Sequence, residues 1–91
     1  MIRSFRNRDL KKAWEVGKDF APKKLPVREI HWLLDALDAV TAPQQVSFLG
    51  RFFEWEERGE LRYGVAITSH WTISYGWYDG HAVDVDLEWH N

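Results

Sequence analysis

The chain has 91 residues, of which 45% are hydrophobic and 15% aromatic, with a net charge of −2 and no cysteine. A chain of this length builds one core, so a single domain is predicted over residues 1–91. Without cysteine, disulfide frameworks and thiolate metal sites are excluded. The charged start MIRSFRNRDLKK lacks the apolar run of a signal peptide, and no stretch approaches ~18 consecutive apolar residues. A soluble, cytoplasmic protein with no membrane partner is therefore expected.

Charge is divided unevenly along the chain. Residues 1–28 carry nine Lys and Arg against three acids, whereas residues 29–91 carry three Arg against eleven acids. The two parts either attract each other within the fold or face separate solvent, or the basic part binds an anionic partner.

The first predicted element is a helix over about Arg8–Val16. Asn7 suits the N-cap, Leu10, Ala13 and Trp14 share one face, and Gly17 can end the helix.

A second helix is predicted after a short link at 21–25. Pro26 suits its first helical position, and Pro43 ends it. Its apolar residues recur at spacings of three and four, which predicts a stripe that covers a sheet: Val27, Ile30, Leu33, Leu34, Leu37 and Val40.

From Ser47 onward, β-branched and aromatic residues predict three or four antiparallel strands, with turns at Arg58-Gly59 and Asp79-Gly80. The predicted fold class is therefore α+β, with two N-terminal helices packed on a twisted antiparallel sheet.

The last hairpin can be registered by its polarity pattern. A two-residue Asp-Gly loop would mix core residues with charged ones, whereas a three-residue loop, 78–80, separates them. The predicted pairs are Trp71 with Leu87, Ile73 with Val85, and Tyr75 with Val83.

This register leaves a polar outer face, with His70 opposite Glu88. Its members are His70, Thr72, Ser74, Asp84, Asp86, Glu88 and His90. Such an alternation is typical of a solvated strand face. It could also indicate a metal site, but alternate residues lie ~6.6 Å apart along a strand, too far to share an ion unless the side chains lean together.

Three segments resemble the HigB-type toxins of the RelE superfamily. They are MIRSF at the start, LLDALDAVTAP in the second helix, and WTISYGWYDGHAVDVDLEWH at the end, in which D-G-x-A-x-D-V-D and a terminal His are the most specific. The resemblance implies a RelE-like fold over nearly the whole chain. It also implies a helix-turn-helix antitoxin as partner, and mRNA cleavage on the ribosome without metal or cofactor.

The implied reaction is attack of a ribose 2′-OH on its own phosphate, which needs a base, an acid and fixed positive charge. His90 matches the terminal His of the family and is the expected acid or base. Arg51, Arg58 and Arg62 are the remaining cations that can supply phosphate charge in the C-terminal two thirds.

Other positions depart from the family pattern. Thr72 and Gly76 stand where the family has Arg, and without a gap Phe53 takes the place of a His and Glu56 and Glu60 those of two Lys. Carboxylates near a phosphate repel it. A second hypothesis is therefore a catalytically inactive or repurposed HigB-like protein that acts by protein binding.

Five aromatic residues of the sheet could stack RNA bases: Trp55, Tyr63, Trp71, Tyr75 and Trp77. Of these, Trp71, Tyr75 and Trp77 lie on the predicted apolar face and are interpreted first as core. Trp55 and Trp89 could instead anchor a partner. The basic residues at the start of the chain could hold ribosomal RNA or an acidic antitoxin surface, or be solvated: Arg3, Arg6, Arg8, Lys11 and Lys12.

Overall fold

The computed structural model describes residues 1–17 and 21–89 as an α+β fold with an antiparallel sheet in the order β1-β2-β3-β4. These residues contain four strands, in agreement with the predicted three or four. They are β1 Phe52–Glu57, β2 Glu60–Ala66, β3 Trp71–Tyr78 and β4 His81–Trp89. Each strand pairs with the next along the chain, so the sheet is a series of hairpins.

Helix α1 spans Arg8–Val16, as predicted. The Asn7 side-chain oxygen accepts a hydrogen bond from the Leu10 backbone N–H at 2.9 Å, which satisfies one of the free donors of the first turn. Gly17 ends the helix with φ of 126°, and Leu10 and Ala13 are buried.

Helix α2 spans Val27–Ala39 and buries Ile30 and Leu34 among other members of the predicted stripe. Pro26 does not take the first helical position, because its ψ of 110° places it just before the helix. Short 3-10 helices follow the two α-helices, at Pro22–Lys24 and Pro43–Leu49. None of the described helices is long and apolar enough to cross a membrane.

The strands begin at Phe52, not at Ser47 as predicted, because Ser47 lies inside the 3-10 helix Pro43–Leu49. Val46 of this helix is fully buried in the core. The helix is also held to the sheet by Tyr75, whose hydroxyl donates to the Pro43 carbonyl at 2.6 Å.

The two Gly-containing hairpin turns have two residues each, and the predicted three-residue loop at 78–80 is wrong. Arg58 and Gly59, like Asp79 and Gly80, all have positive φ, which is the type I′ geometry that matches the twist of the strands. Tyr78 accordingly pairs with His81.

A β-bulge then changes the register of the last hairpin. Asp84 has φ of 50°, and β4 holds one extra residue opposite Tyr75. Beyond the bulge Ile73 faces Leu87, Trp71 faces Trp89 and Thr72 faces Glu88. All three predicted pairs are therefore wrong, as is the pairing of His70 with Glu88.

Because of the bulge, most apolar residues of the last hairpin nevertheless lie on the helix-covered face, as predicted. Ile73, Tyr75, Val85 and Leu87 are buried in the core cluster with the helices. Val83 is the exception, because it pairs with Gly76 on the other face of the sheet.

The N-terminal segment lies along the edge of β4 in parallel orientation. Ile2 bridges Ala82 and Phe5 bridges Val85, and the Ser4 hydroxyl accepts a hydrogen bond from the Asp84 N–H at the bulge at 2.8 Å. This arrangement places Arg6 beside the face of the sheet that the helices leave uncovered.

Candidate functional site

The outer face, meaning the sheet face turned away from α1 and α2, carries polar residues from all four strands. Their exposure differs from the prediction of a solvated face. Ser74 is fully buried, Thr72 is 6% exposed, and Arg62 is 3% exposed. The centre of this face is therefore a buried polar cluster with charged residues around it.

Arg62 of β2 organises the cluster. Its guanidinium donates to the Ser74 hydroxyl at 2.8 Å and to the Asp84 carbonyl at 3.0 Å, and it lies 3.9 Å from a Glu88 carboxylate oxygen. The Asp84 carbonyl is available because the bulge takes this residue out of the strand ladder. Arg62 therefore links β2 to residues of β3 and β4 through a single side chain.

Burial lowers the pKa of Arg62, and the positive charge of Arg6 lowers it further, whereas the carboxylate of Glu88 raises it. An arginine nevertheless stays protonated in proteins. Its Nε is buried without a hydrogen-bond partner within the protein. The outer face thus contains a fixed positive charge that keeps one donor unused.

Glu88 is oriented by the same cluster, because the Ser74 hydroxyl donates a hydrogen bond to its Oε2 atom. The side chain of Glu88 remains 37% exposed. A carboxylate has about four acceptor positions, so Glu88 can accept hydrogen bonds from a ligand while it holds Ser74.

Arg6 and Glu57 form a second pair at the open side of the face. The Arg6 guanidinium lies 3.4 Å from a Glu57 oxygen and 4.0 Å from an Asp86 oxygen, and both partners of the Arg6–Glu57 pair are partly exposed. We call the concavity between Arg6, Glu57, Arg58 and Arg62 the arginine cleft; its volume is about 790 Å³. Asp84 and Glu60 also line it.

Two of the four predicted site residues thus meet in this cleft, Arg58 and Arg62. Arg51 lies elsewhere, lining a different concavity with its guanidinium 5.2 Å from the centre of the Phe53 ring. His90 falls outside the described residues. Arg6 was predicted only as one of several basic residues that could hold RNA or an antitoxin, and Glu57 was not predicted. No local pattern relates two residues 51 positions apart.

The second concavity, of about 400 Å³, contains aromatic side chains. We call it the aromatic cleft and define it by Phe53, Trp55 and Trp89. Trp55 lies directly on Gly64, since a Cβ there would come within 3.0 Å of the indole. Trp55 and Trp89 were predicted as possible anchors, and both lie outside the core cluster.

The other aromatic residues of the sheet follow the core interpretation. Tyr63 and Tyr75 are buried and stack at 5.7 Å, and Trp71 and Trp77 pack against the same cluster. His70, which was predicted on the polar face, stacks instead on Trp89 at 4.8 Å.

Among the side chains of residues 1–17 and 21–89, no three His, Asp or Glu are grouped closely enough to hold a metal ion. Comparison of the sequence with protein-family models and with curated proteins finds no match in either.

Proposed function

We propose that the chain is the toxin of a type II toxin–antitoxin system, an endoribonuclease of the HigB and RelE type that cleaves mRNA on the ribosome. The observation that carries the proposal is the arginine cleft, in which the guanidinium groups of Arg6, Arg58 and Arg62 line one concavity with the Glu57 carboxylate. The sequence resemblance and the order of two helices followed by antiparallel strands support it.

In this proposal the arginine cleft binds the scissile phosphate. Arg6 and Arg58 are the exposed guanidinium groups that contact its oxygens. Arg62, held in place by Ser74 and the Asp84 carbonyl, contributes a positive charge that does not need to reorganise during the reaction.

The reaction needs a base that removes the proton from the ribose 2′-OH and an acid that protonates the leaving 5′-oxygen. Glu57 takes the proton of the ribose 2′-OH as its oxygen bonds to phosphorus, and the bond from phosphorus to the 5′-oxygen breaks. His90, the acid implied by the resemblance, protonates the leaving 5′-oxygen. The products are a 2′,3′-cyclic phosphate and a 5′-hydroxyl, with no metal or cofactor required.

Induced expression tests the proposal. Wild-type protein should arrest growth and shorten mRNA in translating cells, whereas His90→Ala and Glu57→Gln should each reduce cleavage by roughly 10²-fold or more. Arg28→Ala, a change at an exposed arginine of α2, is the matched control and should still arrest growth.

Arrest that persists unchanged in His90→Ala would remove His90 as the acid. Absence of arrest by the wild-type chain, together with no ribosome association at low salt, would reject the ribonuclease.

A second function is favoured by the environment of Arg62. Its guanidinium is already bonded within the protein, and Asp84 and Glu60 line the same cleft as carboxylates. These features suit a repurposed HigB-like protein that acts by binding, with a helix-turn-helix antitoxin as partner. Co-purification with such an antitoxin without growth arrest would support this alternative.

A further inference from the structure

The aromatic cleft lies at the end of the outer face and is lined by residues different from those of the arginine cleft. Trp89 is paired with Trp71, whose side chain packs against the core, and lines the cleft from the end of β4. Phe53 and Trp55 come from β1, Thr72 from β3, and Glu88 and Trp89 from β4. Its volume of about 400 Å³ is within the range of small-ligand sites. The Ser74–Glu88–Arg62 contacts join the two clefts.

The aromatic side chains are held in position without a ligand. Trp55 rests on the backbone at Gly64, where a Cβ would come within 3.0 Å of the indole. Trp89 is 58% exposed, yet it stacks on His70 and meets Trp71 edge-on at 5.2 Å. Indole rings that are ordered and partly open to solvent stack flat ring systems with little entropy cost.

Two charged side chains of the aromatic cleft, Glu88 and Arg51, can distinguish one nucleotide base from another. Glu88 is an oriented carboxylate that only accepts hydrogen bonds. Guanine presents two adjacent N–H donors on one edge, whereas adenine and cytosine present a donor beside an acceptor, which a carboxylate repels. Arg51 is exposed and lines the same cleft, where its positive charge suits an attached phosphate.

We infer that the aromatic cleft is a binding site for a guanine nucleotide, with the base stacked on Trp55 and Trp89, its N–H edge on Glu88 and its phosphate near Arg51. The inference rests on the proposed function in one respect: in an RNA-cleaving enzyme, this guanine would be a base of the substrate strand adjacent to the cleaved phosphate. It extends that function with a base preference.

The test is a titration of tryptophan fluorescence with guanosine 5′-monophosphate, which requires neither ribosome nor cleavage. Saturable binding is expected, with adenosine and cytidine monophosphates at least about tenfold weaker. Trp89→Leu and Arg51→Ala should each weaken guanosine monophosphate binding, the former at least about tenfold.

Trp32→Leu is the matched control, because Trp32 is exposed to the same extent, 59%, but lies on α2 outside the cleft. It should bind as wild type. Glu88→Gln should abolish the preference for guanine, and circular dichroism checks that it folds. If Glu88→Gln does not fold, the weaker binding expected of Trp89→Leu and Arg51→Ala still tests the site.

Equal binding of guanosine and adenosine monophosphates, or no saturable binding, would overturn the inference. So would stronger binding of tetramethylammonium, which would make the cleft an aromatic cage for cations. Guanine binding without mRNA cleavage would support the guanine site and reject the proposed ribonuclease. Cleavage of mRNA without a preference for guanosine monophosphate would support the ribonuclease and reject the guanine site.

Discussion

At the scale of single residues, Arg62 shows how one side chain connects stability and the candidate site. It is buried on a sheet face that alternation alone assigns to solvent, and its hydrogen bonds satisfy both the Ser74 hydroxyl and the Asp84 carbonyl. Removal of the guanidinium would leave this carbonyl without a partner and the Glu88 carboxylate without its neighbouring charge.

Arg62→Met should therefore lower the free energy of unfolding by roughly 2–4 kcal/mol. This loss is smaller than the ~3–5 kcal/mol that follows when one partner of a fully buried ion pair is removed, because Glu88 is partly exposed to solvent. Urea denaturation followed by tryptophan fluorescence measures the change. Arg28→Met, at an exposed position on α2, should stay within ~0.5 kcal/mol of wild type. A loss below ~1 kcal/mol for Arg62→Met would show that the cluster does not stabilise the fold.

Tyr75 is the second residue with a measurable electrostatic consequence. Burial raises the pKa of its hydroxyl, and the nearby Tyr63 raises it further. The folded protein keeps this proton above pH ~10, where an unfolded tyrosine ionises. The stability contributed by Tyr75 is therefore complete below pH ~10 and declines as the pH rises above it, by up to ~1.4 kcal/mol per pH unit.

Tyr75→Phe should remove this alkaline decline and, at neutral pH, lower the free energy of unfolding by about 1–2 kcal/mol, because the Pro43 carbonyl loses its donor. Urea unfolding at a series of alkaline pH values measures both effects. Tyr78→Phe, at an exposed tyrosine, should retain the decline. Equal slopes for wild type and Tyr75→Phe would contradict the assignment.

At the scale of elements, the bulge in β4 decides which side chains reach the outer face. The hydrogen bonds of Asp84 come from its backbone, with its N–H donating to Ser4 and its carbonyl accepting from Arg62. Its positive φ is a conformation that Asp tolerates and β-branched residues do not.

Asp84→Val should consequently lower the free energy of unfolding by roughly 1–3 kcal/mol, whereas Asp84→Gly should equal or exceed wild type. Thermal unfolding of the matched variants measures the difference. Because both variants lose the same carboxylate, a similar loss in each would assign the effect to charge and not to backbone conformation.

At the scale of the whole molecule, the basic N-terminal part and the acidic remainder meet at the outer face. Arg6 pairs with Glu57 and Asp86 from opposite edges of the sheet. Arg8 and Lys11 lie exposed on α1, next to the segment that carries Arg6. In the proposed ribonuclease, these basic residues would hold RNA backbone beside the arginine cleft.

Arg8→Glu combined with Lys11→Glu changes the net charge from −2 to −6 and should weaken ribosome association. It should also reduce the slope of log affinity against log salt by about 1–2. Co-sedimentation with ribosomes over a salt series measures both. The helix should remain folded, because acids near a helix N-terminus are favourable.

The control has the same charge change away from α1, with Lys24→Glu in the 3-10 helix Pro22–Lys24 and Arg28→Glu in the first turn of α2. If it weakens association equally, net charge rather than the surface of α1 determines binding.

The sequence by itself determined what depends on neighbours along the chain. The bounds of α1 follow from Asn7 and Gly17, the buried side of α2 follows from its apolar spacing, and both Gly-containing turns lie where predicted. These features were predictable because capping, periodicity and positive φ act over a few residues.

The tertiary structure alone decided the site. Alternation determines which side chains share a face but not the register, because a type I′ turn followed by a bulge at Asp84 preserves the same polarity as a longer loop. The meeting of Arg6 with Glu57 depends on the N-terminal segment lying along β4. The burial of Arg62 depends on a carbonyl that only the bulge presents. Each of these contacts joins residues distant in sequence, so only the folded chain specifies it.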